Sequence, residues 1–297
     1  MKVFIIGRTK YLLSTIDFLQ KQGHSIAGIW AAKSSDYDKT TGEEFKKIAE
    51  QIGCFFYVGG HYNSDILYAV KSLQADIAVS INFPYIIKQE LIECFSCGIL
   101  NAHAGDLPRY RGNAIVNWAI LNQEPHVALS IHFMEGGRLD SGPIVHKEYF
   151  PLLNTTYVTD VYTWLEDAIP KSFSYSLSAI ENGESGKPQR ELPGAVLNCY
   201  PRRPDDSRIC WNQSAFDVVK LVRASSYPFL GAYTFLEGQE KVVIWKAKVK
   251  EPDFLIMAVP GQIVDNQYVV AGDYRLVEFE EISPLCFDQF SRRKRFI

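Results

Sequence analysis

The run Val3-Phe4-Ile5-Ile6-Gly7, near the start of the chain, consists of apolar residues closed by a glycine. A short apolar run with β-branched residues is typical of a strand that is buried on both faces, as in a parallel sheet covered by helices. Similar runs follow at residues 26–30, 77–81 and 99–100. The sequence therefore predicts a buried parallel sheet built from these strands.

The segments between these runs have the periodicity of amphipathic helices. Apolar residues recur at helical spacing over residues 11–21, 43–51, 65–73 and 88–94. Strands that alternate with helices indicate an α/β fold with an open, mostly parallel sheet and right-handed crossovers.

Gly7 directly follows the first strand, which is where a dinucleotide-binding motif would begin. That motif needs two further glycines at set positions, and Thr9 and Leu12 occupy them here. The sequence therefore argues against NAD binding.

The last third of the chain has a different pattern. A long helical pattern over residues 155–182 leads into a polar stretch with glycine and proline, 183–204, which we interpret as a linker. A further helical run at 214–224 precedes short alternating segments that are typical of a small β-rich barrel or sandwich. We predict two domains, 1–204 and 205–297. The predicted short strands are residues 232–236, 241–248, 261–264, 268–271 and 276–282.

Composition limits the class of protein. The formal net charge of the 297 residues is −3, which does not favour nucleic acid as the main partner. The six cysteines are too sparse for a disulfide framework. No apolar run has the length of a signal peptide core or a membrane span, so we expect a cytoplasmic protein without a membrane partner.

Three polar residues are candidates for catalysis. Asn101 and His103 follow the strand at 99–100, and ligands of open α/β sheets bind beyond the carboxyl ends of strands. Asp140 lies in a predicted loop after a strand at 128–133. An amide can hold a carbonyl oxygen, an imidazole can move a proton, and a carboxylate can orient the imidazole, so the three suit acyl transfer to an amine. The other histidines, among them His132, lack a partner at metal-ligand spacing, and we predict no metal.

The sequence motifs around these residues are more specific than the spacing of the three residues alone. Asn101-Ala102-His103, then Leu107-Pro108-Arg109-Tyr110-Arg111-Gly112, then Asp140-Ser141-Gly142-Pro143-Ile144 closely resemble the 10-formyltetrahydrofolate-dependent formyltransferase family. The resemblance implies a Rossmann-like catalytic domain followed by an OB-like barrel. It also implies formyl transfer from 10-formyltetrahydrofolate, with Asn101 as oxyanion stabiliser, His103 as general base and Asp140 as its partner.

The resemblance further implies where the two substrates bind. Relatives hold the pterin largely through backbone, at positions that match Phe83, Tyr85 and Ile86 and the loop ending at Asp140, where Gly137 allows close approach of a flat ligand. The remaining candidates are assigned to the acceptor. They are Tyr110, Arg111, Arg202 and Arg203.

Among the subfamilies, sugar N-formyltransferases fit best. The stretch from Pro201 to Ser207 resembles the enzyme that formylates UDP-4-amino-4-deoxy-L-arabinose, and a paired arginine suits a diphosphate. We therefore expect a nucleotide-linked amino-deoxy sugar as acceptor, a role in lipopolysaccharide or O-antigen synthesis, and a possible homodimer.

Three alternatives remain open at this point. Methionyl-tRNA formyltransferases carry Ser-Leu where this chain has Gly105-Asp106. They also insert a basic loop in a region where residues 33–41 of this chain hold two lysines and two aspartates, a combination that should bind phosphate poorly. An amino-acid or hydroxyornithine formyltransferase and a formyltetrahydrofolate hydrolase would use the same catalytic residues.

Overall fold

The structure is a computed structural model that describes residues 1–33, 40–253, 255–265, 267–284 and 294–297. The strands are β1 (Lys2–Gly7), β2 (Ser25–Ala31), β3 (Phe55–Val58), β4 (Ile77–Ile81), β5 (Ile99–His103), β6 (Arg111–Gly112), β7 (His126–Phe133), β8 (Ile144–Pro151), β9 (Asn198–Cys199), β10 (Ala232–Leu236), β11 (Glu240–Lys250), β12 (Ile263–Asp265), β13 (Tyr268–Val270) and β14 (Leu276–Ser283). The helices are α1 (Lys10–Lys21), α2 (Gly42–Ile52), α3 (Ser64–Ser72), α4 (Gln89–Ile92), α5 (Ile115–Leu121), α6 (Val158–Glu181) and α7 (Ala215–Ser225).

The first sheet has seven strands in the order β3-β2-β1-β4-β5-β7-β8. The strands from β3 to β5 are all parallel, and β7 is antiparallel to β5. This arrangement confirms the predicted α/β fold with a mostly parallel, Rossmann-like sheet. The antiparallel strand β7 therefore lies beside the carboxyl end of β5, where the candidate catalytic residues Asn101 and His103 are found.

The apolar run of β1 lies inside this sheet, between β2 and β4, and its residues 3–6 are all fully buried. Burying a side chain of this size contributes roughly 1.5 to 3 kcal/mol relative to leaving it exposed. Gly7 ends the strand at φ 139°, and a Cβ there would lie 1.9 Å from the carbonyl oxygen of Ile81. Glycine is therefore required for β1 and β4 to approach at this point, whereas a nucleotide-binding role is not needed to explain it.

The second sheet has five strands in the order β10-β11-β14-β13-β12, and the pairs are antiparallel. It forms the half-barrel expected for the β-rich C-terminal part. Helix α7 packs against β11 and β14. The side chains between them form one buried cluster, which includes Trp211, Val218, Ile244, Val277 and Phe279.

Some elements were not predicted from the sequence. β3 and β8 are only partly buried. β3 is a run of four apolar residues that we did not assign to a strand, and β8 carries polar residues from His146 to Glu148. β6 and β9 are two residues long and pair with each other in parallel. α4 covers Gln89–Ile92, which is shorter than the predicted helix at 88–94.

The chain forms two compact units that are discontinuous in sequence. The first contains residues 1–115, 127–150 and 163–199, and the second contains residues 116–126, 151–162 and 200–297. The boundary that we predicted at 204/205 stays a prediction. None of the described helices combines the length and the apolar character needed to cross a membrane.

Candidate active site

Strand β5 carries two of the three predicted catalytic residues. Asn101 and His103 are two positions apart, and because side chains alternate along a strand, both project from the same face. In the pairing with β7, Asn101 lies opposite His132 and His103 lies opposite Ser130. The apolar residues of β5 anchor the strand in the sheet, while its carboxyl end supplies the polar groups.

The imidazole of His103 is buried between two oxygen atoms. Its Nε2 lies 2.7 Å from the carbonyl oxygen of Tyr110, and its Nδ1 lies 3.5 Å from Oδ2 of Asp140. A carbonyl oxygen can only accept, so Nε2 carries the hydrogen and, in the neutral ring, Nδ1 carries the lone pair. Burial lowers the pKa of His103 below its ordinary value of 6.5, although Asp140 and the Tyr110 carbonyl act in the opposite direction. His103 is therefore neutral at pH 7 and able to accept a proton on Nδ1.

The Tyr110 contact depends on a glycine. A Cβ at Gly105 would lie 2.4 Å from Nε2 of His103 and 2.5 Å from the carbonyl oxygen of Tyr110. Any other residue at 105 would therefore disrupt this hydrogen bond. The same turn is held by the buried hydroxyl of Ser130, which donates to the Gly105 carbonyl oxygen at 2.7 Å.

Asp140 is held in an uncommon backbone conformation. Its φ is 48°, in the left-handed region that non-glycine residues rarely adopt. Its Oδ2 accepts the N–H of Gly112 at 2.9 Å and faces His103. Burial raises the pKa of the Asp140 carboxyl, but His103, His132 and the Gly112 N–H together outweigh burial and lower it to about 2. A permanent negative charge beside His103 would stabilise the imidazolium formed when His103 takes a proton.

His132 belongs to the same group, although the sequence alone did not indicate it. The ring is 1% exposed, its Nδ1 donates to the carbonyl oxygen of Phe133 at 2.7 Å, and its Nε2 lies 3.3 Å from Nδ2 of Asn101. Nε2 is also 3.6 Å from Oδ1 of Asp140. One N–H of the Asn101 amide is thus fixed by His132, which leaves the other N–H to meet a ligand. The available signal was the polar pair Ser130 and His132 on one face of an otherwise apolar strand.

The predicted acceptor residues Tyr110 and Arg111 occupy the loop after His103. Tyr110 is 3% exposed, and its backbone carbonyl contacts His103. The guanidinium of Arg111 donates to Oε1 of Gln189 at 2.6 Å. The loop is also held from β8, where Lys147 binds Asp106 at 2.7 Å and donates to the carbonyl oxygen of Leu107. The acceptor role of Tyr110 and Arg111 stays a prediction.

The segments predicted to bind folate lie next to each other. Gly137 donates its N–H to the carbonyl oxygen of Ile87 at 3.2 Å, so the glycine loop adjoins the segment that holds Phe83, Tyr85 and Ile86. The side chain of Ile86 is 72% exposed. The rings of Phe83 and Tyr85 instead pack edge-on against each other, and Phe83 packs likewise on Trp30. The two aromatic residues thus have a structural partner, whereas Ile86 presents a bare apolar surface.

Arg202 and Arg203 belong to the second unit. The guanidinium of Arg202 donates to the carbonyl oxygen of Asp206 at 2.6 Å and to Oγ of Ser225 at 3.3 Å. Burial lowers the pKa of Arg202, and nearby Asp206 partly offsets this. Arg203 has an exposed side chain, and its backbone N–H is bound by the Asp206 carboxylate at 2.6 Å. Their role in acceptor binding stays a prediction.

Comparison with known families agrees with this arrangement. The profile of the formyl transferase family matches residues 1–176, and the profile of the formyl transferase C-terminal domain matches residues 202–289. The chain belongs to the formyl transferase family, and it is a formyltransferase.

Individual relatives differ in their acceptors. A methionyl-tRNA formyltransferase from Alkaliphilus oremlandii is 27% identical over 99% of this chain and 94% of its own length. The sugar 3N-formyl transferase WlaRD, solved in the presence of dTDP and 5-N-formyl-THF, is 18% identical with a TM-score of 0.66, over 96% of this chain and 99% of that chain. An N-formyltransferase from Helicobacter canadensis, solved with folinic acid and dTDP-3-aminofucose, is 16% identical with a TM-score of 0.65, over 94% and 99%.

Proposed function

We propose that this formyltransferase moves the formyl group of 10-formyltetrahydrofolate to the primary amine of a nucleotide-linked amino-deoxy sugar. The observation that carries the chemistry is the buried pair of His103 and Asp140, with their facing atoms 3.5 Å apart, beside the oriented amide of Asn101. These are the base, the counter-charge and the oxyanion donor that acyl transfer to an amine requires.

The proposed reaction has three steps at these residues. The neutral amine attacks the formyl carbon, and the carbonyl electrons move to the formyl oxygen, where the free N–H of Asn101 donates to the developing charge. His103 takes a proton from the attacking nitrogen on Nδ1, and Asp140 stabilises the resulting imidazolium. The bond between the formyl carbon and N10 of the folate then breaks, and N10 keeps the electron pair and receives the proton from His103.

The co-substrate is supported by two observations. The solved relatives WlaRD and the Helicobacter canadensis enzyme contain formyl-folate compounds. In this chain, the exposed side chain of Ile86 lies next to Ile87, whose carbonyl binds the Gly137 loop, so an apolar side chain adjoins the loop that carries Asp140. A pterin ring is flat and largely apolar on its faces, and it suits such a surface.

Charge pairing in the second unit favours a sugar over tRNA as acceptor. Lysines project from β11 and would form a basic strip, but three of them are paired with acidic residues. A phosphate backbone binds to cations that are free to neutralise its charge, whereas these three lysines already pair with carboxylates. We predicted that the loop at residues 33–41 binds phosphate poorly, and residues 34–39 of this loop lie outside the described residues. The pairs are Lys246 with Glu281 at 3.1 Å, Lys248 with Glu278 at 3.3 Å and Glu280 at 3.2 Å, and Lys250 with Asp253 at 4.0 Å.

Methionyl-tRNA formylation is the second candidate, because the relative with that activity matches 99% of the chain. The two functions are separated by offering the enzyme 10-formyltetrahydrofolate with a panel of UDP-, dTDP- and GDP-linked amino sugars and, in parallel, with methionyl-tRNA. We expect one nucleotide sugar to be formylated with the highest kcat/KM. Preferential formylation of methionyl-tRNA would contradict the proposal, and formate release without any acceptor would indicate a hydrolase.

The two arginines near residue 200 give a more specific prediction. If they bind the diphosphate of the sugar nucleotide, Arg203→Ala should raise the KM for the sugar by roughly ten- to a hundredfold, since a charge-assisted hydrogen bond contributes ~1.5 to 3 kcal/mol. Arg202→Ala should act in the same direction, and neither variant should change the KM for 10-formyltetrahydrofolate. Arg208→Ala serves as a nearby charge control. Unchanged sugar kinetics in both variants would mean that these arginines are ordinary surface and structural charges.

A further inference from the structure

Gln189 is a buried side chain in a segment that the sequence indicated to be a surface linker. It opens a short 3-10 turn, Gln189–Glu191, and it is 5% exposed, whereas the neighbouring Arg190 is exposed. A buried glutamine is costly unless its amide is fully bonded. The burial of Gln189 therefore depends on the hydrogen bonds that its side-chain amide makes.

The amide of Gln189 makes three hydrogen bonds within the first unit. Its Nε2 donates to the backbone carbonyl oxygens of Asp140 at 2.8 Å and Gly142 at 2.9 Å. Its Oε1 accepts from the guanidinium of Arg111 at 2.6 Å. Both hydrogens of the amide nitrogen are thus used on the two ends of the turn that contains Asp140.

These bonds fix the backbone of a strained residue. Asp140 has a φ of 48°, a conformation that costs free energy and persists only where the surroundings enforce it. Gln189 binds the backbone carbonyl oxygen of Asp140, and the N–H of Gly112 binds the Asp140 carboxylate at 2.9 Å. Arg111 and Gly112 form β6, so the same short strand contacts both Gln189 and Asp140.

The chain around Gln189 reinforces this connection. Lys187 exchanges both backbone hydrogen bonds with Ile144, at 2.8 and 2.9 Å, just beyond the Asp140 turn. On the other side, β9 (Asn198–Cys199) pairs with β6. The segment from 187 to 199 therefore binds, through its backbone and one buried amide, both pieces of chain that position the Asp140 carboxylate.

We propose that Gln189 is a positioning residue for catalysis, which holds Asp140 in the conformation that directs its carboxylate at His103. The inference rests on the proposed function, because it takes His103 and Asp140 as the catalytic pair. Gln189 itself touches neither the substrate nor the reacting atoms in this scheme. A misplacement of about 1 Å in a catalytic group can cost on the order of 100-fold in rate, so the loss of this amide should be visible in turnover.

The test compares two variants with one control. Gln189→Met removes all three hydrogen bonds at similar side-chain length, and Gln189→Glu keeps the acceptor for Arg111 but replaces the donor with an oxygen that faces two carbonyl oxygens. Arg190→Ala, on the same turn with an exposed side chain, is the matched control. Circular dichroism establishes that each protein is folded, and kcat is measured per folded protein with the acceptor found in the panel.

The second measurement does not depend on the acceptor. NMR titration of protein labelled at histidine gives the pKa of His103, whose resonance is assigned by its loss in His103→Asn. Asp140 raises the pKa of His103, so displacement of its carboxylate should lower it. We expect Gln189→Met to lower this pKa, and we expect both Gln189 variants to reduce kcat by about ten- to a hundredfold with an unchanged KM for 10-formyltetrahydrofolate.

Asp140→Asn, measured in parallel with the acceptor panel, distinguishes failure of the positioning role from failure of the catalytic pair and of the proposed function. If Asp140→Asn is impaired but both Gln189 variants keep the wild-type kcat and Gln189→Met keeps the wild-type His103 pKa, the positioning role is overturned and the amide is only structural. If Asp140→Asn itself keeps wild-type turnover, the catalytic role of Asp140 has failed instead, and if the panel yields no nucleotide-sugar acceptor, the proposed function has failed. Arg190→Ala should behave as the wild type throughout.

Discussion

Replacement of His103 by asparagine should reduce the rate of formyl transfer by ~100- to 10,000-fold, the range typical for loss of a general base. The substitution removes the group that takes the proton from the attacking amine, whereas the neighbouring imidazole of His132 is held with its Nδ1 on the Phe133 carbonyl oxygen and its Nε2 facing the Asn101 amide. Asparagine is too short to reach the Tyr110 carbonyl oxygen that Nε2 of His103 contacts, so circular dichroism is used to confirm that the variant is folded. Turnover is measured with saturating 10-formyltetrahydrofolate and the acceptor found in the panel.

His146→Asn provides the control for this experiment. His146 lies on β8, is half-buried against Tyr175, and has a pKa that burial lowers, as in His103. It therefore tests whether loss of any buried histidine in the first unit has the same effect. Near wild-type turnover in folded His103→Asn would remove this residue from the mechanism.

The second large effect is expected for Asp140→Asn, also ~100- to 10,000-fold in kcat, because the imidazolium of His103 loses its counter-charge. The pH profile gives the sign of the interaction. Wild-type kcat/KM should fall as pH drops through the pKa of His103, which lies below 6.5. Removing the negative charge of Asp140 lowers that pKa further, so the acid limb should move to lower pH while the plateau falls.

Glu135→Gln is the matched control for the charge. Glu135 lies in the same loop and binds Ser141 at 2.8 Å and Arg138 at 3.5 Å. Loss of its charge should leave the acid limb in place. An acid limb that stays at the wild-type pH in Asp140→Asn, or that moves to higher pH, would show that the carboxylate does not act on His103.

The fold was largely predictable because its central strands are continuous apolar runs. Residues 3–6 and 77–81 have no polar positions that could be mistaken for a surface, apart from Ser80, and the helices between them keep one apolar face. β8 was not predictable in this way, because an edge strand with half-buried polar residues has no comparable pattern. The assignment of residues 116–126 and 151–162 to the second unit depends on contacts between distant segments, which a single sequence does not reveal.

The candidate catalytic residues of the proposed site could be predicted from their sequence motifs, but the residues that contact and position them could not. Asn101, His103 and Asp140 were found because they adjoin strand ends and belong to a distinctive motif. His132 was overlooked because a histidine inside an apolar strand is usually a bonded core residue, and only the register opposite Asn101 reveals its contact. Gln189 was overlooked because a polar stretch with glycine and proline is typical of an exposed linker, and nothing local signals a buried amide.

The pairing of β6 with β9 has a consequence for how the protein matures. These two-residue strands are far apart in sequence, with the 24-residue helix α6 between them, and the contacts around Asp140 depend on both. Pairings of such large sequence separation are slow to form because the intervening chain must first be ordered. During synthesis, the strands β1 to β5 can associate while the ribosome is still translating α6, whereas the catalytic geometry must wait until Cys199 has emerged. The enzyme should therefore acquire its sheet before it acquires its activity.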